Sequence, residues 1–543
     1  HAQNPDVIVG DLQEVISWGR VGDIVAYNVG TESCNVGTAE LDWIATSPAH
    51  PVIGQELYRF KDGRFEQIGV SWLKHAFCAL SLTLCSPCTA TPCETLGIGC
   101  SDPYTAARNG NQGTAGPRSQ VNAFNGVFPY PFTAPAAAPV IGRRMQVLAD
   151  HVDPAMNAGA VYFAEGHYVT PDDAQAGNGE NNVSYREVTF DSSPDHEMSL
   201  APGSTTVQES PAIFAWQALD PEVEIVEVRV PGEGLILLGY RVTELPSGSW
   251  AYEYAMYNMN SDISARSLEI EIDPSANPEN IEFFHVPNHS GEPYSVSGWG
   301  STVGTNSIEW SCPTFAVNEN ANALRWSRMF NYRFESESPP QTATATVGMF
   351  KNTSEVNVTI LAPGEPPLAS PEDFTCLGSP DGTQLNWTNP APYTEILINR
   401  GSLTVATLAG GETEFFDTGT VEGQSYVYTM FATDGVSTAD AVTCIVTIPV
   451  FPDFIRGDIN QDGGFDISDV IFGLGSLFIL GEPQPDCVDS ADLNDDGVFD
   501  ISDGVYGLFS LFVPGSPPIP APASCDYDPT PDTIDCVSYS PCP

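Results

Sequence analysis

The sequence predicts a mainly β chain: antiparallel β-sandwich domains, a large N-terminal unit and a second smaller one, followed by a small α-helical module built on acidic loops. Three observations lead there. Apolar and polar residues alternate with period 2 in short runs between turn residues. Gly and Pro number 48 and 46 of 543 residues while only 16% are charged. A tandem repeat, GDINQDGGFDISD and then ADLNDDGVFDISD, lies near the end. Period-2 runs bury one face of a sheet, and turn residues with few charges suit β structure better than disorder.

Residues 1–363 carry most of the alternating runs. In QELYRFKDGRFEQIG, Asp62-Gly63 stands where a two-residue hairpin turn belongs, and EIVEVRV, GLILLGYRVTEL, WAYEYAMYNM and SLEIEI follow as further strands. This length suggests two subdomains divided near residue 200. Residues 78–140 interrupt the pattern as a Cys- and Pro-rich insertion with little periodicity, which disulfides would have to hold. Trp250, Tyr252, Tyr254 and Tyr257 recur along one run, which reads as sheet packing rather than a sugar platform.

The Pro-rich joint APGEPPLASPED, 362–373, marks a boundary. Residues 366–449 have the length and strand count of a seven-stranded sandwich, with TQLNWTNP, YTEILINRG, EFFDTG, QSYVYTMFATDG and AVTCIVTIP as strands. Through Trp387, the Tyr426-x-Tyr428 strand and the Asp434-Gly435 turn the block resembles a fibronectin type III domain. Cys376 near its first strand and Cys444 in its last are candidates to bond.

In residues 454–519 the spacing is that of EF-hand-type loops, whose ligands sit at positions 1, 3, 5, 7, 9 and 12, with Gly at 6 and a main-chain carbonyl at 7. The first loop offers Asp458, Asn460, Asp462, Gly464 (carbonyl), Asp466 and Asp469; the second offers Asp492, Asn494, Asp496, Val498 (carbonyl), Asp500 and Asp503. Gly463 and Gly497 take position 6 and Phe465 and Phe499 position 8, so two calcium ions are expected. An apolar run follows each loop and no periodic helix precedes it, a half-EF arrangement. The pair resembles a type I dockerin, in particular the repeats with FIRGD and DISD of secreted proteins from planctomycete-like bacteria. That resemblance implies a cohesin-like partner touching Ile467, Ser468, Ile501, Ser502 and the helix faces. Calcium folding the module as a clamp on its own chain is an equal alternative.

Seventy acidic against 19 basic residues, a net charge of −51, exclude nucleic acid and anionic membranes as partners and favour divalent cations. The longest apolar run, Val470 to Leu480, is too short to span a bilayer. Thirteen cysteines, with Cys78, Cys85, Cys88, Cys93 and Cys100 clustered, point to disulfides in an exported chain. Its N-terminus, HAQNPDVIVGDL, lacks signal-peptide features and reads as mature, and the expected location is extracellular or at the cell surface. Zinc at Cys85-x2-Cys88 is the lesser alternative. With Cys34 and Cys312 the N-terminal region holds seven cysteines, an odd count that suits bonding to another chain. In the Pro/Cys-rich tail, 520–543, pairs Cys487–Cys525 and Cys536–Cys542 are expected. Asn182, Asn288, Asn352, Asn357 and Asn386 begin glycosylation sequons.

Catalytic patterns are thin. His1 invites a copper brace with a second histidine among His75, His167, His285 and His289, without further support. Ser71-x-x-Lys74 fits the penicillin-binding motif, yet no K-T-G strand accompanies it. Glu165, Asp172, Asp173 and Glu180 cluster in EGHYVTPDDAQAGNGENN as a lesser calcium candidate beside a solvated loop. Stretches such as LKHAFCALSLTLC, GPRSQVNAFNGVFPYPF and NANALRW resemble uncharacterised secreted proteins that carry the same C-terminal repeats, and no activity travels with that likeness. The expectation is a secreted calcium-binding structural or adhesive component of a bacterial surface or matrix, self-assembling into fibres. The alternatives are a polysaccharide-acting enzyme held on a scaffold and a non-catalytic carbohydrate-binding protein.

Overall fold

Period-2 alternation becomes antiparallel sheet throughout the first of two compact units, residues 1–366 and 367–543, in a computed structural model describing residues 4–379, 381–450, 452–530, 534 and 536–542. β1 (Val7–Val21) and β2 (Ile24–Asn35) form a long hairpin. β3 (Val52–Lys61) and β4 (Arg64–Val70) form a second, turned by Asp62 and Gly63 at φ +52° and +79°, the left-handed pair that a tight two-residue turn requires. With β5 (Met145–Leu148), β6 (Val161–Val169), β7 (Val183–Phe190) and β8 (Met198–Leu200) they run in the order β1-β2-β5-β4-β3-β6-β7-β8. Val9, Leu12, Val29, Leu57, Ile68 and Met145 point into one core of this sheet.

After α1 (Ile213–Leu219) come β9 (Glu224–Arg229), β10 (Leu235–Glu244), β11 (Trp250–Asn258), β12 (Ala265–Glu271), β13 (Glu279–His285), β14 (Gly300–Val303), β15 (Ser307–Ser311), β16 (Arg328–Ser336), β17 (Pro340–Met349) and β18 (Glu355–Pro363). They make two five-stranded sheets, β9-β10-β11-β16-β13 and β14-β15-β12-β17-β18. Tyr254, Phe334, Leu268, Trp310 and Val347 fill the space between them. The opposite face of the first sheet lays Leu237, Tyr257 and Met329, with Trp216 of α1, on Tyr58, Phe65 and Phe163 of the N-terminal sheet. On β11, Tyr252 and Tyr254 enter the sandwich, with Trp250 packed at its margin, while Tyr257, of opposite parity, enters the other core.

In the second unit, β19 (Glu372–Ser379), β20 (Gly382–Thr388) and β23 (Glu414–Asp417) form one sheet. The other has the order β22-β21-β24-β25, from β21 (Glu395–Arg400), β22 (Leu403–Ala409), β24 (Ser425–Thr433) and β25 (Val442–Thr447). Trp387, Ile398, Tyr428 and Met430 pack between them, and Cys376–Cys444 joins β19 to β25 as expected. Two twelve-residue helices follow, α2 (Ile467–Phe478) and α3 (Ile501–Phe512), each starting where an acidic loop ends.

The tail cysteines pair differently from expectation: Cys487–Cys536 and Cys525–Cys542 replace Cys487–Cys525 and Cys536–Cys542. The tail doubles back so that Cys487 and Cys536 face each other in a β-bridge, and Asp526 bridges Phe454. In the insertion, Cys34–Cys85 and Cys88–Cys100 occupy the thiols that a zinc site would need.

Candidate metal centre

Both acidic loops fold by one hydrogen-bond scheme. In the first, the N–H groups of Asp462 and Gly463 donate to Asp458 Oδ1 and Oδ2 at 2.9 and 3.0 Å. In the second, Asp496 and Gly497 donate to Asp492 at 3.2 and 2.8 Å. Asn460 and Asn494 each accept from the same N–H through Oδ1, at 2.9 and 3.1 Å. The closing residue reaches back across the loop: Asp469 accepts from Asn460 and Asp466 N–H at 3.1 and 2.8 Å, and Asp503 from Leu493 and Asp500 at 2.9 and 2.7 Å. Asp466 and Asp500 cap their helices, completing capping boxes with Asp469 and Asp503. Gly463 and Gly497, at φ +101° and +81°, make the sharp turn at position 6.

Asp458, Asp469, Asp492 and Asp503 are fully buried. Burial, with Asp458 and Asp462 adding repulsion, raises the Asp469 carboxyl above its ordinary range; burial and Asp492 do the same to Asp503. Carboxylates so crowded are stabilised by a cation, and the donors are all oxygens, the hard set that calcium prefers. Each loop offers oxygen donors of the kind one such ion takes, from the residues named from the sequence, with the Gly464 and Val498 carbonyls at position 7. The carboxylates are turned onto backbone donors, however, and among the described residues no three or more His, Cys, Asp or Glu side chains stand together in metal-holding geometry.

Two features of the module escaped the sequence reading. Arg456, fully buried, pairs with Asp489, Asp495 and Asp528 at 3.0, 2.9 and 2.8 Å and donates to the Asp492 and Ala521 carbonyls. The tail crosses the loops: Tyr539 donates its hydroxyl to Asp458, Ser540 bonds Gln461 at 2.9 Å, and Thr530 donates to Asp495 at 2.7 Å. A lone arginine beside a ligand position, in a chain with 19 basic residues, was the available sign.

α3 meets α2 through Gly504 and Gly507, where a Cβ would overlap Leu474, Val470 and Leu493. This close approach turns other apolar residues outward. Ile471 and Phe478 on α2 are 63% and 64% exposed, Phe512 on α3 is 60% exposed, and Ile467, Ile501, Val505 and Phe509 are exposed as well. Ser468 and Ser502, expected to contact a partner, bond Asp466 and Asp500 at 2.6 Å within their own loops.

The other candidates separate. Glu165 is buried in β6, Asp173 accepts from Val7 N–H and Asn182, Asp172 accepts from Asp42 N–H, and Glu180 pairs with Arg229, so the four do not form one site. Ser71 bonds Trp72 O while Lys74, its amine lowered to about 7 by burial, bonds His75 O. His1 lies outside the described residues. His75 pairs with His50 at 3.0 Å, His167 with Ser327 at 3.0 Å, and His285 and His289 with carbonyls, each in its own surroundings. Asn182 is buried and bonded, which bars a glycan there; Asn288 is half-buried, and Asn352, Asn357 and Asn386 are exposed.

Among the described residues no helix is long and apolar enough to cross a membrane, a statement that does not reach β-barrels. No protein-family model and no curated protein matches the chain. Solved structures similar to it include a two-domain fibronectin type III segment of chicken tenascin, 13% identical over 38% of this chain and 97% of that one, TM-score 0.17. The central fibronectin III array of RIM-binding protein is 10% identical over 41% of this chain and 74% of that one, TM-score 0.15. A β-1,2-glucanase from Parabacteroides distasonis is 11% identical over 51% of this chain and only 41% of that one, TM-score 0.13. Likenesses at such TM-scores carry no argument, and the β-sandwich assignment rests on the strand order itself.

Proposed function

We propose that this chain is a secreted, calcium-dependent structural or adhesive protein that joins an extracellular assembly through its C-terminal module, a dockerin-like pair of half-EF loops. The observation that carries this reading is the apolar face on α2 and α3, with Ile471, Phe478, Val505, Phe509 and Phe512 exposed. Exposed apolar side chains recurring on two neighbouring helices of a strongly acidic chain mark a surface that another protein covers. Both helices start from the acidic loops, so calcium held there orders the face. Five disulfides and the acidic surface suit an extracellular setting. The partner is a second copy of the chain, giving fibres, or a cohesin-like surface protein.

A polysaccharide-acting enzyme needs two carboxylates open to a sugar. Glu56 and Glu165 are opposed across two strands, but both are fully buried, so they lend that alternative no support. Electron microscopy and sedimentation of the full chain test the proposal. Calcium should produce regular polymers or, with a cohesin-like protein added, a stoichiometric complex, and chelation should dissolve either. A chain that stays monomeric and binds neither itself nor such a protein, with both loops loaded, would overturn it.

A further inference from the structure

Outside the C-terminal module, Cys78 and Cys93 stand together on the surface of the Cys-rich insertion. Ala79 N–H donates to Cys93 O at 2.7 Å, so the backbones beside both cysteines are already joined, and the Cys93 thiol lies near enough to perturb that of Cys78. The two strands of chain around them are held independently. Leu82 and Ser101 exchange two bonds of 3.0 Å, Leu80 N–H donates to Asp102 at 2.8 Å, and Trp43 N–H donates to Glu94 O at 2.8 Å. Cys85 and Cys88, between the pair in sequence, are committed to Cys34 and Cys100. Both thiols of the pair are exposed to an oxidant, whereas Cys312, the third free cysteine, is buried.

We infer that Cys78 and Cys93 are a modification site that closes to a sixth disulfide, leaving Cys312 as the single thiol of the chain. The step is thiol–disulfide exchange with a small-molecule or protein disulfide. Each cysteine loses its proton, one sulfur–sulfur bond forms in the chain, and the two electrons reduce the incoming disulfide to two thiols. The surroundings argue against a catalytic or metal-binding thiolate: the neighbouring Cys93 thiol pushes the Cys78 thiol up to about 11, and the Arg108 charge offsets this only in part. The bond has structural work here. Leu80, Leu82 and Leu84 point outward along an extended segment, exposed rather than packed in a core, so cross-linking supplies order that burial does not. An odd cysteine count then needs no bond to another chain.

The test uses the full chain exported into an oxidising compartment, acid-quenched at harvest, alkylated in denaturant without reduction, digested and mapped by mass spectrometry. A Cys78 peptide joined to a Cys93 peptide and lighter by two hydrogens, with label only on Cys312, is the expected result. Label on both Cys78 and Cys93, or either of them joined to any other cysteine or chain, would overturn it. Neither outcome depends on calcium or on what the C-terminal module binds.

Discussion

Glu56 on β3 and Glu165 on β6 are register partners in adjacent antiparallel strands, both with no exposed surface. Like charges directly opposed and out of water cannot both ionise cheaply. Glu56 is answered by Arg118, whereas Glu165 accepts from Tyr58 and Tyr257 hydroxyls at 3.0 and 3.3 Å and from Ala212 N–H at 2.6 Å. Burial and then Glu56 push the Glu165 carboxyl up to about 8, so it holds its proton at neutral pH as a donor or acceptor inside the first unit.

That arrangement predicts a pH slope. Glu165 releases its proton near its ordinary value when unfolded but only near pH 8 when folded, so the folded chain binds more protons between those values. Its contribution to stability is complete at low pH and lost as pH rises through that window. Glu165→Gln should flatten the dependence relative to wild type, by on the order of 1 kcal/mol per pH unit, in denaturant melts from pH 5 to 9. Parallel curves for the two proteins would refute the assignment.

Calcium should stabilise the module by about 3 kcal/mol per loop at free calcium a hundredfold above the dissociation constant. Chelation should therefore lower the melting temperature of residues 454–519, followed by calorimetry and far-ultraviolet circular dichroism. Asp469→Ala and Asp503→Ala should each remove one ion from the stoichiometry. An unchanged melting temperature with both loops emptied would mean that the tail disulfides, not the ions, hold the module.

Arg456 sets a second dependence. Removing one member of a buried ion cluster strands the others, at a cost of about 3–5 kcal/mol. Arg456→Met leaves Asp489, Asp495 and Asp528 without their shared guanidinium and should unfold the module, at a lower denaturant concentration than wild type, while the sandwich of 366–449 melts as before. Coincident transitions in the two proteins would deny Arg456 this role.

The outward apolar face should tolerate charge as a fold and fail as a surface. Ile471→Lys with Phe512→Lys is expected to leave calcium binding and helical content intact and to abolish polymers or complex formation in calcium. Retained assembly would move the contact elsewhere on the chain.

Much of the fold was legible because it is written locally. Asp62-Gly63 announces its hairpin, and the ligand spacing followed by an apolar run announces where each helix comes after its loop, since both patterns involve residues close along the chain. Glu165 was drawn from the sequence into a loop cluster with Asp172, Asp173 and Glu180, yet it belongs to β6 and to Tyr58, Tyr257 and Ala212. Its neighbours in space come from other strands, and no local pattern names them.

By itself the sequence determined strand periodicity, the loop spacing that opens α2 and α3, and the Cys376–Cys444 bond, whose ends lie on the first and last strands of one small sandwich. Only the tertiary structure decided that Cys487 meets Cys536, that Tyr539 returns onto Asp458, and that Glu56 faces Glu165. Spacing along the chain encodes the first group. The second depends on sheet register and on a tail folding back across its own module, which are settled by packing between residues far apart in the chain.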